Sequence, residues 1–235
     1  IVAAVFYFRG TYQTAFTVLL IPATLTIGVL LAARVLYPRP RDLESAAPDL
    51  NATGLSRVYW LYLGAMVLNA AGYADFPLIG YHFQKTASVP MDWIPVFYAV
   101  AMGVDAVAAL VFGRLFDREG LSVLIVSALI STFFAPLVFL GGFYGGLAGM
   151  ALWGVGMGAQ ESIMRAAIAG MISAQKRGTA YGVFNTGYGL FWFLGSALMG
   201  VLYDWSIPAL VTFSMLLQLA SVPLLIRVKK EAGVV

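Results

Sequence analysis

The sequence predicts an all-α integral membrane protein, and three observations predict it. Of 235 residues, 61% are hydrophobic, where soluble domains hold roughly 45 to 50%. Only 11% are charged, less than half the usual share of about 25%. The mean hydropathy is +0.87 over the whole chain, and it comes from runs long enough to cross a bilayer, which takes about 20 mostly apolar residues at ~1.5 Å each.

Four uncharged runs stand out: Gly10 to Ala33, Leu121 to Gln160, Gly178 to Tyr203 and Trp205 to Ile226. The second is 40 residues long and must hold two spans, divided where Gly141-Gly142-Phe143-Tyr144-Gly145-Gly146 breaks it. Two further spans carry a carboxylate, Asp75 in one and Asp105 in the other. The expected set is seven, at 12–36, 58–80, 93–113, 121–140, 146–169, 179–203 and 207–228. Residues 1–8 read as the end of an earlier span, and the start Ile1-Val2-Ala3-Ala4 reads as a piece of a longer chain.

Lys and Arg mark the cytoplasmic side of such a protein. Twelve of the fourteen fall in alternate connections or after the last span, and only Arg9 and Lys85 fall opposite. A multi-pass protein of the cytoplasmic membrane follows, with its C-terminus in the cytoplasm. The connection 37–56 is rich in Pro, Asp and Ala, a composition that buries little surface and suits a linker. Residues 1–36 are then the last helix of a preceding bundle and 57–235 a six-helix bundle.

Several chemistries are excluded. The chain has no Cys and one His, His82, so it lacks thiolate or His-cluster metal sites and a cysteine nucleophile. No G-x-x-x-x-G-K-[ST] run occurs, which leaves no ATP cradle and points to a gradient as the energy source. Gly154-Val155-Gly156-Met157-Gly158 lies within a span with no strand before it, so it reads as helix packing. The net charge of +3 is too small and too dispersed for nucleic acid. No cofactor and no metal is expected.

The segment Gly113-Arg114-Leu115-Phe116-Asp117-Arg118-Glu119-Gly120, expected as a loop between two spans, resembles the G-x-L-x-D-R-x-G signature of the major facilitator superfamily, in the weaker copy that lacks trailing basic residues. Gly158 to Arg165, followed by Lys176-Arg177-Gly178 and the glycine-rich stretch to Asn185, is similar to that family's tenth helix, basic loop and eleventh helix. The resemblance implies a bundle corresponding to helices six to twelve, meaning one helix plus the six-helix C-terminal half. It also implies a secondary transporter that moves a small solute by alternating access, in a bilayer, with H+ or Na+ coupling and a missing N-terminal half as partner. A channel or a non-transporting receptor scaffold is the alternative; a membrane enzyme has no catalytic constellation to support it.

Ionisable groups within a bilayer are costly and mark functional positions by default. Asp105 lies roughly 18 Å below the outer end of its span and reads either as a proton- or cation-binding carboxylate or as a structural partner of a polar neighbour. Asp75 follows Gly72 and precedes Pro77, which permit a kink, so it reads as a gate or solute contact, or as a helix end at the interface. Asn69, Tyr73, Gln160, Asn185, Tyr188 and Trp192 are the remaining residues that read as lining a pathway, or equally as interhelical hydrogen-bond partners or interface anchors. Glu161 and Arg165, four apart with Glu first, fall about 24 and 30 Å below the outer end of their span, at the cytoplasmic boundary and level with Asp117. With Gly113, Arg114, Asp117, Arg118, Gly120 and Arg177 they form the expected cytoplasmic gate, an arrangement the resemblance also implies.

Overall fold

The computed structural model describes residues 11–36 and 54–232. The described residues form nine α-helices, two short 3-10 turns and no strand. Five helical segments are long and apolar enough to cross a membrane: Phe16–Leu36, Met91–Glu119, Ser122–Leu140, Ala174–Trp205 and Ile207–Ala232.

The chain divides into two units, Ile1–Ala47 and Pro48–Val235. In the first, α1 (Tyr12–Leu36) runs 25 residues with Pro22 inside it. Its threonines are satisfied within the helix: Thr24 donates to the Leu20 carbonyl and Thr26 to the Pro22 carbonyl, both at 2.9 Å. That back-bonding lets a hydroxyl sit in an apolar span without an outside partner. Most of the expected linker, residues 37–53, lies outside the described residues.

The second unit contains α2 (Arg57–Ala71), α3 (Phe76–Thr86), α4 (Ile94–Glu119), α5 (Ser122–Ser131), α6 (Phe134–Leu140), α7 (Gly142–Met171), α8 (Arg177–Trp205) and α9 (Ile207–Ala232). The span expected at 58–80 is two helices, α2 and α3, separated at Gly72–Asp75. Asp75 occupies the N-cap position of α3 and Pro77 its first turn, where a proline has no helix bond to lose. The span expected at 121–140 is also interrupted, at Thr132–Phe133 between α5 and α6. Pro136 explains it, because a proline removes the hydrogen bond to the fourth carbonyl before it and crowds that residue, here Thr132.

The signature octapeptide lies within secondary structure. α4 continues through Glu119, so residues 113–119 are its last two turns, and only Gly120, at φ +59°, leaves the helix. A glycine there adopts a positive φ, which a side chain would strain, at little cost. The division between the fourth and fifth spans falls at Gly141 and Gly142, the latter at φ +61°. α7 therefore starts four residues earlier than the sequence suggests and is 30 residues long. Its glycines dilute its apolar character, which keeps it out of the five strongly apolar segments.

Two hydrophobic clusters fill the unit. One gathers Tyr59, Tyr62, Met66, Leu124, Ile163, Ile168 and Phe184. The other gathers Tyr73, Phe83, Phe97, Phe134, Met150 and Trp153. The two draw on opposite ends of the same helices, and between them along the chain come Asn69, Asp105, Ser131 and Gln218. Beyond the first cluster, Arg57 meets Glu231 at 3.8 Å and Lys229 donates to Ser122 at 2.7 Å. Beyond the second, Lys85 lies 3.6 Å from Asp204 and above the rings of Tyr81 and Tyr203 at 5.2 and 5.0 Å. His82 is buried beside them, its Nδ1 3.1 Å from the Tyr203 hydroxyl.

The most intimate helix contact is α4 against α7. A Cβ at Gly154 would collide with the Ala101 carbonyl, and one at Gly158 with the backbone of Asp105 and Ala109. Two glycines four apart thus form a groove that receives α4, the small-residue contact expected where no hydrophobic effect draws helices together. Gly154→Ala and Gly158→Ala should each destabilise the protein by about 1–3 kcal/mol, the usual cost of overpacking. Gly200, with nothing near its missing Cβ, should tolerate Ala without loss. Thermal unfolding of the full-length protein in detergent, comparing the three variants, checks this.

Candidate functional site

The break between α2 and α3 organises the polar interior. It leaves backbone carbonyls without helical partners, and in an apolar interior each needs a donor from elsewhere. Ser214 donates to the Gly72 carbonyl at 2.6 Å, with Gln218 adding a longer bond at 3.4 Å. The Trp153 indole donates to the Ala74 carbonyl at 2.9 Å. Tyr73 turns inward and its hydroxyl donates to the Trp153 carbonyl. A Cβ at Gly72 would press on Ser214, and one at Gly195 on the Ala71 backbone, so both glycines allow α9 and α8 to approach the break.

Asp75 ends the break. Its carboxylate accepts from the Trp192 indole and from the Ser196 hydroxyl, both on α8 and four residues apart. Two donors to one carboxylate form a charge-assisted pair of bonds, stronger than neutral ones. Asp75 therefore fixes the orientation of Trp192, and Trp192 in turn faces a cavity.

That cavity, of about 460 Å³, opens between α7 and α8. From α7 come Met157, Gln160, Glu161, Met164 and Arg165, and from α8 Phe184, Asn185, Tyr188 and Trp192. Each set recurs at three- and four-residue spacing, which places it on one helix face. Gln160 accepts from the Tyr188 hydroxyl at 3.0 Å and donates to the Gly156 carbonyl at 3.2 Å, so its amide is spanned. Phe184 and Tyr188 stack at 5.8 Å, Tyr188 meets Trp192 at 5.5 Å, and Trp192 meets Tyr73 at 6.3 Å. The result is a continuous aromatic wall from the cavity to the helix break.

Of the pathway candidates, the structure brings Tyr73, Asp75, Tyr188 and Trp192 into one network and sets Asn185 on the same cavity. Asn69 and Asp105 lie apart from its lining. Asn69 is buried in α2, with its side-chain oxygen unpartnered. Asp105 stands at the α4–α7 crossing, and its Oδ1 is likewise buried without a donor. It remains within electrostatic reach of Glu161.

Of the residues grouped as a gate, Gly113 lies against α7, where an added Cβ would stand 4.0 Å from Ser162, the neighbour of Glu161. Gly113 to Gly120 form the end of α4 and its turn. Glu161 and Arg165 line the cavity. Arg177 donates to the Ala169 carbonyl at 2.9 Å and the Ile172 carbonyl at 3.4 Å, capping the C-terminal end of α7 as a cation does best. Among the described residues no ion pair joins Asp117, Arg118, Glu161 and Arg165. Met157 and Met164, ordinary apolar filler by sequence, share the stripe of Glu161, and Ser196, which lies four residues from Trp192, serves Asp75.

A profile of the Major Facilitator Superfamily matches residues 1–196 and also residues 76–233. The chain belongs to that superfamily. It is therefore a multi-pass membrane protein of a family of transporters. Among its relatives is an uncharacterized protein of Mycobacterium bovis, 31% identical over 226 residues, covering 94% of this chain and 55% of that protein. Uncharacterized proteins from two strains of Mycobacterium tuberculosis match with the same identity and coverage. The chain spans about half the length of these relatives. No solved structure matches it.

Trp192 and Ser196 should depend on the same carboxylate. Trp192→Phe and Ser196→Ala should each cost about 1–2 kcal/mol, since each removes one bond to a charged group. In an Asp75→Asn background the two losses should shrink, giving a coupling of at least about 0.5 kcal/mol in a double-mutant cycle read by thermal unfolding.

Proposed function

We propose that the whole protein is a secondary active transporter of the cytoplasmic membrane, moving a small solute by alternating access between this six-helix bundle and an N-terminal half. The observation that carries this reading is the α7–α8 cavity, lined by polar, charged and aromatic side chains in a chain of this superfamily. The solute contacts Asn185, Tyr188 and Trp192. The C-terminus lies in the cytoplasm, in keeping with the positive charges gathered at the end that holds Arg57, Ser122 and Lys229.

Coupling to H+ or Na+ is assigned to Asp105. A buried acceptor without a donor is costly, and the cost falls when the carboxyl binds a proton or a cation. Its place at the tight α4–α7 crossing makes that exchange felt by two helices at once. The cytoplasmic gate is assigned to the end of α4, with Gly113, Arg114, Asp117, Arg118 and Gly120.

The full-length protein in proteoliposomes should show saturable uptake and counterflow, in which a solute gradient on one side drives labelled solute uphill. Linear, non-saturating flux would assign it to a channel instead. Asp105→Asn should abolish accumulation driven by a pH or Na+ gradient while leaving exchange down a solute gradient within a few-fold of normal. Unchanged accumulation in that variant would make Asp105 a structural residue.

A further inference from the structure

Glu161 and Arg165 are one helical turn apart on α7, with the acidic residue first, the arrangement that pairs most readily on a helix. They do not pair. Neither has an ion-pair partner among the described residues, although both line the same cavity as Tyr188 and Trp192. At Arg165 the hydrogen bond is to the backbone, whose carbonyl accepts from Tyr181 at 3.0 Å. Across the cavity from these two charges stand the rings of Phe184, Tyr188 and Trp192, with Phe184 stacked between Tyr62 and Tyr188, and beside them the flexible side chains of Met157 and Met164.

From this geometry we infer that the cavity binds a zwitterionic solute with a flat apolar body, its cationic group at Glu161 and its anionic group at Arg165. The inference rests on the proposed reading of the cavity as the solute contact. Opposite charges about 6 Å apart along one helix face match a molecule with both signs better than one with a single charge. A single charge would meet one attractive and one repulsive residue. The aromatic wall suits a ring, and its faces add attraction for a cation near Tyr188. The two methionines adapt to ring shape, so the charges set the class while the apolar body is read loosely. Gln160 is already held by Tyr188 and the Gly156 carbonyl, which leaves Asn185 as the adjustable neutral contact.

Four probes share one ring and differ in the charges its side chain carries: tryptophan carries both signs, tryptamine only the positive, indole-3-propionate only the negative, and indole, which lacks the side chain, neither. Asn185→Cys is made in the full-length protein, any cysteines outside this region being replaced, and labelling of the new thiol by a maleimide is measured with each probe present. Tryptophan should protect at a concentration about tenfold below tryptamine and indole-3-propionate, and indole should protect least. With Glu161→Gln added, tryptophan should fall to the level of indole-3-propionate; with Arg165→Gln added, to that of tryptamine. Protection by tryptamine equal to or better than by tryptophan would overturn the inference in favour of a monovalent cation. Failure of all four to protect, or equal protection unaffected by either substitution, would overturn it as well. The underlying reading of the cavity is judged separately, with no solute present: a membrane-impermeant maleimide should label the Asn185→Cys protein from water, because a solute path opens to the aqueous phase. If the thiol is not labelled, the cavity is not on the solute's path.

Discussion

An unpaired carbonyl in an apolar interior is the constraint around which this bundle is built. The chain leaves helical geometry between Gly72 and Asp75, where Tyr73 and Ala74 are fully buried. Every neighbour answers that break. α9 supplies Ser214 and Gln218, α7 supplies the Trp153 indole, and α8 supplies Trp192 and Ser196 to the carboxylate that closes it. Three helices distant in sequence are held to one point by bonds that an apolar side chain would not make. Hydrophobic packing alone would leave their rotation loosely set, because lipid is as good a neighbour for leucine as another helix. The polar bonds fix which face of each helix looks inward.

Close approach is the second requirement, and glycine meets it at the same places. Gly72 and Gly195 admit α9 and α8 to the break, while Gly154 and Gly158 admit α4 to α7. The two devices cooperate: small residues bring backbones together, and the few polar side chains then reach across. Trp192 belongs to both the network and the cavity. Its indole is tied to Asp75 and its ring continues the aromatic wall, so the cavity surface inherits its shape from the break behind it.

Much of this is legible in the sequence. Charge-free runs locate the spans, and Gly72 with Pro77 marks the break, because those residues act through backbone geometry that one sequence states openly. The interruption at Thr132 is not legible even though Pro136 is visible, since a proline near the end of an apolar run is equally compatible with a continuing helix. The charges of the octapeptide at 113–120 suggest a loop, yet Arg114, Leu115 and Arg118 are good helix formers and only Gly120 stops them. Asp75, Tyr73, Tyr188 and Trp192 stand out one by one. That they meet is not readable, because their meeting depends on how α3 and α8 pack. Depth along its helix assigns Glu161 to the cytoplasmic boundary, and depth says nothing about which cavity a face overlooks. Ser214 and Gln218, four apart in an apolar span, are a readable signal of an interhelical partner.

The uninterrupted course of α4 has a mechanical consequence. From Asp105, pinned against the glycine groove of α7, to Asp117 is twelve residues of helix, roughly 18 Å of stiff rod. A tilt of only about 5° at the crossing would carry Asp117 sideways by about 1.6 Å on a lever of that length. A loop would absorb such a movement in its own dihedrals. A helix delivers it undiminished, so small adjustments beside a buried carboxylate reappear as side-chain-sized displacements at the end of the bundle.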